Sequence, residues 1–140
     1  MIKKLTLAVT VTLVAALAPS ATATAAAAAA PVKEITGQGL AACPRDAICL
    51  YQNSDFNEGD DARIWIVTGT TARLGDGSDE ASSIYSNVGR YQYARAHRDV
   101  DGKGDSVFLF GGESIANLKY VKQFGQTENF NDSISSVTFV

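Results

Sequence analysis

The sequence is poor in the residues that chemistry at a site usually requires. Its 140 residues include one histidine and two cysteines. His97 lies among Arg95, Arg98 and Asp99 beside a turn, and reads as a solvated surface residue rather than a general base. A single histidine far from either cysteine assembles no nucleophile–base pair. Adjacent carboxylates occur at Asp60-Asp61 and Asp79-Glu80. Such pairs can serve glycoside hydrolysis, but in a chain this short they read as turn residues. No enzyme is expected. A basic stripe is also missing. Twelve Lys and Arg stand against 15 Asp and Glu, a formal net charge of −3, which argues against nucleic acid and against anionic membrane surfaces. Soft metal ligands are too few for a metal pair at Cys43 and Cys49, because no third or fourth partner exists. In an exported chain these two cysteines are expected to form a disulfide.

Long hydrophobic runs are scarce as well. Lys3 and Lys4 precede an apolar stretch over residues 5–18, short of the roughly twenty residues a membrane span needs. Small-x-small sites follow at Ala21-Thr22-Ala23 and Ala23-Thr24-Ala25. These are the marks of a secretory signal peptide. Residues 1–30 are therefore assigned to a signal peptide with an alanine-rich leader, and the protein is expected to be secreted and extracellular. Removing them takes two lysines and no acid, leaving 110 residues with a net charge of −5. That length fits one compact domain. Residues 31–42 read as a short extension and 43–140 as the domain.

What the chain does have is short apolar segments parted by Gly, Asn and Asp. Strands are expected at residues 48–51, 63–67, 83–85, 91–95, 107–110 and 137–140. Residues 114–120 could hold one helical turn, and no window carries a helical stripe. One motif recurs. Asn131-Asp132-Ser133-Ile134-Ser135-Ser136 runs into Val137, and 53 residues earlier Ser78-Asp79-Glu80-Ala81-Ser82-Ser83 runs into Ile84. The spacing is about half the domain, which predicts two copies of one unit, about 43–88 and 89–140. In this register Trp65-Ile66-Val67 lies opposite Phe108-Leu109-Phe110, and Tyr51 opposite Tyr93. Trp65, Phe108 and Phe110 read as core. Each unit is a Greek key, and two such units pack as a sandwich around one core. The fold class expected is all-β.

Three features carry a family resemblance: Cys43-x₅-Cys49-x-Tyr51 with the Phe56…Gly59 turn, Tyr91-Gln92-Tyr93-Ala94 at the start of the second unit, and the two Asp-x-x-Ser-Ser turns. The chain resembles the βγ-crystallin superfamily. More narrowly, it resembles the secreted actinobacterial peptidase-inhibitor family typified by the small metalloproteinase inhibitor. The resemblance implies a calcium signature: an Asn/Asp pair, two free positions, then Ser/Thr-Ser. Asn131, Asp132, Ser135 and Ser136 match it in full. Ser78, Asp79, Ser82 and Ser83 match except at the first position.

A hard cation wants six to eight oxygens. Asp132 and Ser135, with Asn131 beside them, would serve one calcium site, and Asp79 and Ser82 the other. The resemblance adds a carbonyl from the first turn of the opposite unit, at Asn57-Glu58 or Gly102-Lys103. The alternative is that these side chains only brace tight turns. The resemblance also implies an extracellular protease as partner, with Tyr85, Ser86, Asn87 and Val88 as the inhibitory loop, here lacking the disulfide that closes it in the family. Two other readings stand beside inhibition. One is a calcium-stabilised module without inhibitory activity. The other is a cell-wall or chitin binder using an aromatic row of Tyr85, Tyr91 and Tyr93. A monomer is expected.

Overall fold

The computed structural model describes residues 32–90, 92–122 and 127–140. The leader at 1–30 and Tyr91 lie outside the described residues. Among the described residues eight strands form: β1 (Val32–Gly37), β2 (Ile48–Tyr51), β3 (Ala62–Val67), β4 (Ser83–Ser86), β5 (Tyr93–His97), β6 (Ser106–Phe110), β7 (Ser114–Ile115) and β8 (Ser136–Phe139). Among the described residues the only helical pieces are single 3-10 turns, one of them at Leu118–Tyr120. All strand pairs are antiparallel. One sheet runs β1-β3-β2-β4-β7 and the other β6-β5-β8.

The order of strands shows how the two units interlock. The first unit supplies β2, β3 and β4. Its third segment leaves that sheet, and Thr71 bridges Val137 of β8 in the other. The second unit supplies β5, β6 and β8, while β7 crosses to pair with β4. Each Greek key therefore lends one segment to the other's sheet. Hydrogen bonds repeat across the pseudo-twofold. Asp55 N–H donates to the Ala116 carbonyl (2.7 Å) and Asp101 N–H to the Ala72 carbonyl (2.8 Å). Likewise Ser82 N–H reaches the Tyr51 carbonyl and Ser135 N–H the His97 carbonyl, both at 2.9 Å. The second serine of each repeat staples its own hairpin: Ser83 Oγ donates to the Asn53 carbonyl and Ser136 Oγ to the Asp99 carbonyl.

These matched bonds correct the register expected from sequence. Tyr51 corresponds to His97, not Tyr93. Since Tyr51 pairs with Ile64 and His97 with Ser106, Trp65 corresponds to Val107, not Phe108. A one-residue slip moves every side chain to the other face of a strand. Trp65, Val67, Val107 and Leu109 thus point into the core between the sheets with Ile48, Leu50, Ile84, Phe130, Ile134 and Val137. Phe108 and Phe110, expected in the core, face outward at 48% and 51% exposure. His97, expected at the surface, is buried. Its Nε2 lies 2.8 Å from Thr138 Oγ1, and the turn at Gly102 covers it.

Residues 31–42, given no strand from sequence, carry β1, which pairs along all of β3 from Val32–Val67 to Gly37–Ala62. The chain then folds over the outer face of the larger sheet. Cys43 and Cys49 form the disulfide (Cα–Cα 5.8 Å). With Ala47, Tyr51, Ile64 and Ile66 they make a second, smaller apolar cluster, joined by Ile35, Ala42, Phe56 and Tyr85.

Candidate metal site at the two acidic turns

The two repeated turns meet at the seam between the units. Asp79 (φ 60°) and Asp132 (φ 49°) both adopt the left-handed conformation, which aspartate tolerates better than most side chains. Each turn is held by a backbone bond from the other unit: Asp79 N–H donates to the Ile134 carbonyl (3.0 Å) and Asp132 N–H to the Ala81 carbonyl (2.9 Å). These bonds fix both carboxylates at the seam.

The side chains then pair across the seam rather than within a turn. Ser135 Oγ donates to Asp79 Oδ1 at 3.0 Å, and Ser82 Oγ donates to Asp132 Oδ1 at 3.3 Å. The grouping expected from sequence, Asp132 with Ser135 and Asp79 with Ser82, is exchanged. The cause is the strand exchange, which sets the end of one unit beside the start of the other's turn. The first signature position also differs less than its residue types suggest. Ser78 Oγ donates to Ser135 Oγ at 3.0 Å, and Asn131 Nδ2 donates to Asp132 Oδ2 at 2.5 Å. Both first positions join their networks.

Asp79 and Asp132 share one open cleft of about 610 Å³ with Arg98, Asp99, Val100, Glu128, Ser133 and Ser135. Asp99 and Val100 line it in place of the expected Gly102-Lys103. Arg98 is the cation here, and it is engaged: it pairs with Glu128, donates to the Asn129 carbonyl at 2.9 Å and stacks on Phe130. In the other expected carbonyl turn, the Asn57 carbonyl accepts from Asp60 N–H at 3.1 Å. Asn57 is buried, and its amide donates to the carbonyls of Gly37 and Arg63. The oxygens gathered are hard donors of the type calcium takes. Among the described residues no three His, Cys, Asp or Glu side chains form a metal-holding group, so serine hydroxyls and carbonyls would have to complete any shell.

Residues 85–88 do not form a presented loop. Tyr85 and Ser86 belong to β4. Ser86 is fully buried, and Val88, 7% exposed, joins the main core. Asn87 is tied on three sides: its N–H donates to the Ala47 carbonyl, its carbonyl accepts from Asp46 N–H, and its amide donates to the Cys43 carbonyl. Of the expected aromatic row, Tyr85 and Tyr93 lie on different sheets, and Tyr91 falls outside the described residues. Tyr85 packs in the cluster on the larger sheet, while Tyr93 lies on the smaller sheet beside Phe108 and Phe110, with ring centroids 5.9 and 5.8 Å away.

No protein-family model matches the sequence, and no curated protein matches it. Solved structures do match. A structure from work on the evolution of the eye lens beta-gamma-crystallin domain fold is 24% identical, covering 79% of this chain and 97% of its own, with a TM-score of 0.58. Spherulin 3a from Physarum polycephalum is also 24% identical, covering 75% of this chain and 93% of its own, with a TM-score of 0.50. The chain therefore has the βγ-crystallin domain fold.

Proposed function

We propose that this is an exported, non-enzymatic binding module whose two acidic turns take calcium. The observation that supports it most is the crossed pairing of Asp79 with Ser135 and Asp132 with Ser82. A turn that only needed bracing could use its own serine. Here each carboxylate instead meets a hydroxyl of the other unit, so an ion held there would tie the two Greek keys together. Asp79, Ser135 and Ser78 would hold one ion, and Asp132, Ser82 and Asn131 the other. Calcium supplies charge for these oxygens and no redox chemistry. With few carboxylates per site, affinity belongs in the ~10⁻⁴–10⁻³ M range of extracellular calcium modules.

Calorimetric titration of the purified protein with calcium tests this. Two sites are expected, with Asp79→Ala and Asp132→Ala each removing one. Absence of heat in the wild type up to several millimolar contradicts the proposal. Export is supported by the leader pattern and the disulfide.

Protease inhibition has no presented loop at residues 85–88 to work with. The protein at stoichiometric amounts is expected to leave a thermolysin-like metalloprotease active. Inhibition relieved by substituting Asn87 would restore that role.

A further inference from the structure

A strand at the rim of a sheet leaves a row of N–H and C=O groups that another extended backbone can fill in order. Among the described residues the two sheets have four such rims, at β1, β7, β6 and β8. Three are closed by the chain itself. β7 is only two residues long. The outer row of β6 ends at Phe110, whose N–H donates to Glu113 Oε2 (2.9 Å) and whose carbonyl accepts from Glu113 N–H (3.0 Å). Along β8, Val137 exchanges both backbone bonds with Thr71, and Phe139 N–H donates to Thr70 Oγ1. β1 has no such cover among the described residues. Its register shows which groups are left. Gln52 N–H donates to the Arg63 carbonyl, so Arg63, Trp65 and Val67 turn their backbone groups to β2, and Ala62, Ile64 and Ile66 turn theirs to β1. Their partners there are Gly37, Ile35 and Lys33. The N–H and C=O groups of Val32, Glu34 and Thr36 therefore point away from the sheet.

The side chains of these three residues indicate what fits the edge. They lie on the face shared with Trp65, which pairs directly with Glu34. Beside them the two layers part into an open cleft of about 380 Å³, lined by Val32, Glu34, Trp65, Leu74, Arg73 and Asp76 among others. Glu34 accepts from the Trp65 indole through Oε2, which fixes its carboxylate at the rim. Asp76 adds a second carboxylate against the single guanidinium of Arg73, so the cleft is acidic on balance. A strand laid along β1 would set one side chain opposite each of Val32, Glu34 and Thr36. Opposite charges in such a pair attract, and like charges oppose it. The place opposite Glu34 therefore suits Lys or Arg, whose methylene stem can cover the apolar wall of the cleft. The flanking places suit β-branched residues. A second copy of β1 fits badly, because the register that pairs every exposed group sets Glu34 against Glu34. We propose that the free edge of β1 takes an extended segment of another protein as a sixth strand, carrying a basic residue at the cleft between two β-branched ones. Backbone bonds to the edge supply affinity and the alternate side chains supply selectivity.

Amide hydrogen exchange followed by NMR, with the capped peptide Thr-Val-Thr-Lys-Thr-Val-Thr as probe, tests the proposal. In the free protein the Glu34 and Thr36 amides are expected to exchange fast, and those of Lys33 and Ile35 slowly. Excess peptide is expected to slow the first pair and leave the second unchanged. Replacing the peptide's lysine by glutamate is expected to weaken binding about tenfold. Thr36→Pro removes one outward N–H and none of the bonds to β3, and should weaken binding with an unchanged circular dichroism spectrum. Methylating the edge-facing amides of the peptide makes the same test with the protein untouched, and should abolish binding. Glu34→Gln keeps an acceptor for the Trp65 indole and should erase the preference for the lysine peptide. Glu34 and Thr36 amides that stay fast at millimolar peptide overturn the proposal. So does binding that survives methylation, and so does equal wild-type affinity for the lysine and glutamate peptides. Protection that appears without peptide and grows with protein concentration overturns it in favour of a second copy at this edge.

Discussion

Gly77 sits against the indole of Trp65, the largest fully buried side chain. A Cβ built at Gly77 would fall 2.7 Å from the ring. That ring is pinned by its N–H to Glu34 Oε2 at 3.1 Å and cannot yield freely. Gly77→Ala is therefore expected to cost about 1–3 kcal/mol through overpacking, read as a lower urea midpoint with an unchanged slope. His97 gives a second residue-scale expectation. Burial, and then the nearby Arg95, lower its pKa from the ordinary 6.5. The folded state thus binds fewer protons than the unfolded chain just below that value, so stability should decline as pH falls below 6.5 and level off beneath the lowered pKa. His97→Gln should flatten that slope between pH 7 and 5 in melts of the two proteins. The sequence around His97 is charged, and that hid its burial. The covering comes from the Gly102 turn and from Thr138, 41 residues away.

At the scale of elements, the disulfide and β1 work together. The Cys43–Cys49 link closes a short loop that lies on the larger sheet, and Asn87 of the segment after β4 donates to the Cys43 carbonyl. Cys43→Ser with Cys49→Ser is expected to cost about 2 kcal/mol by the loop-closure relation for so short a span. The fold should persist, since the core between the sheets contains neither cysteine. Loss of all cooperative unfolding in the double variant would show that the cover is essential. The strands themselves were largely legible, because β-branched runs alternate with Gly and Asp turns. The strand at Val107-Phe108-Leu109-Phe110 was among them, but the face it turns to the core was not. Four consecutive apolar residues carry no alternation to show which pair faces in, and the repeat placed one residue out of register put the wrong pair in the core. β1 was missed because its two charged residues, Lys33 and Glu34, break the alternation, while its stability comes from an edge pairing with β3 that no local signal reports.

At the scale of the molecule, two interlocked Greek keys place four turn residues at one seam. The 53-residue repeat singled out Asp79, Ser82, Asp132 and Ser135, which the fold brings together at this seam. Which aspartate meets which serine was not legible, because that depends on the strand exchange and not on spacing. On the proposed reading, calcium bound at this seam would hold the two keys together. An ion binding only the folded state adds about 2.7 kcal/mol at one hundred times Kd, on the order of 10 °C for a domain of this size. The direct test is a thermal melt of the protein in chelator and in calcium at that excess, alongside Asp79→Ala and Asp132→Ala. An upward shift of that order is expected for the wild type, reduced in each variant, with magnesium a poor substitute because of its stricter octahedral geometry. A wild-type melt that moves by less than about a degree would contradict it, leaving the crossed Asp–Ser pairs as braces of the fold alone.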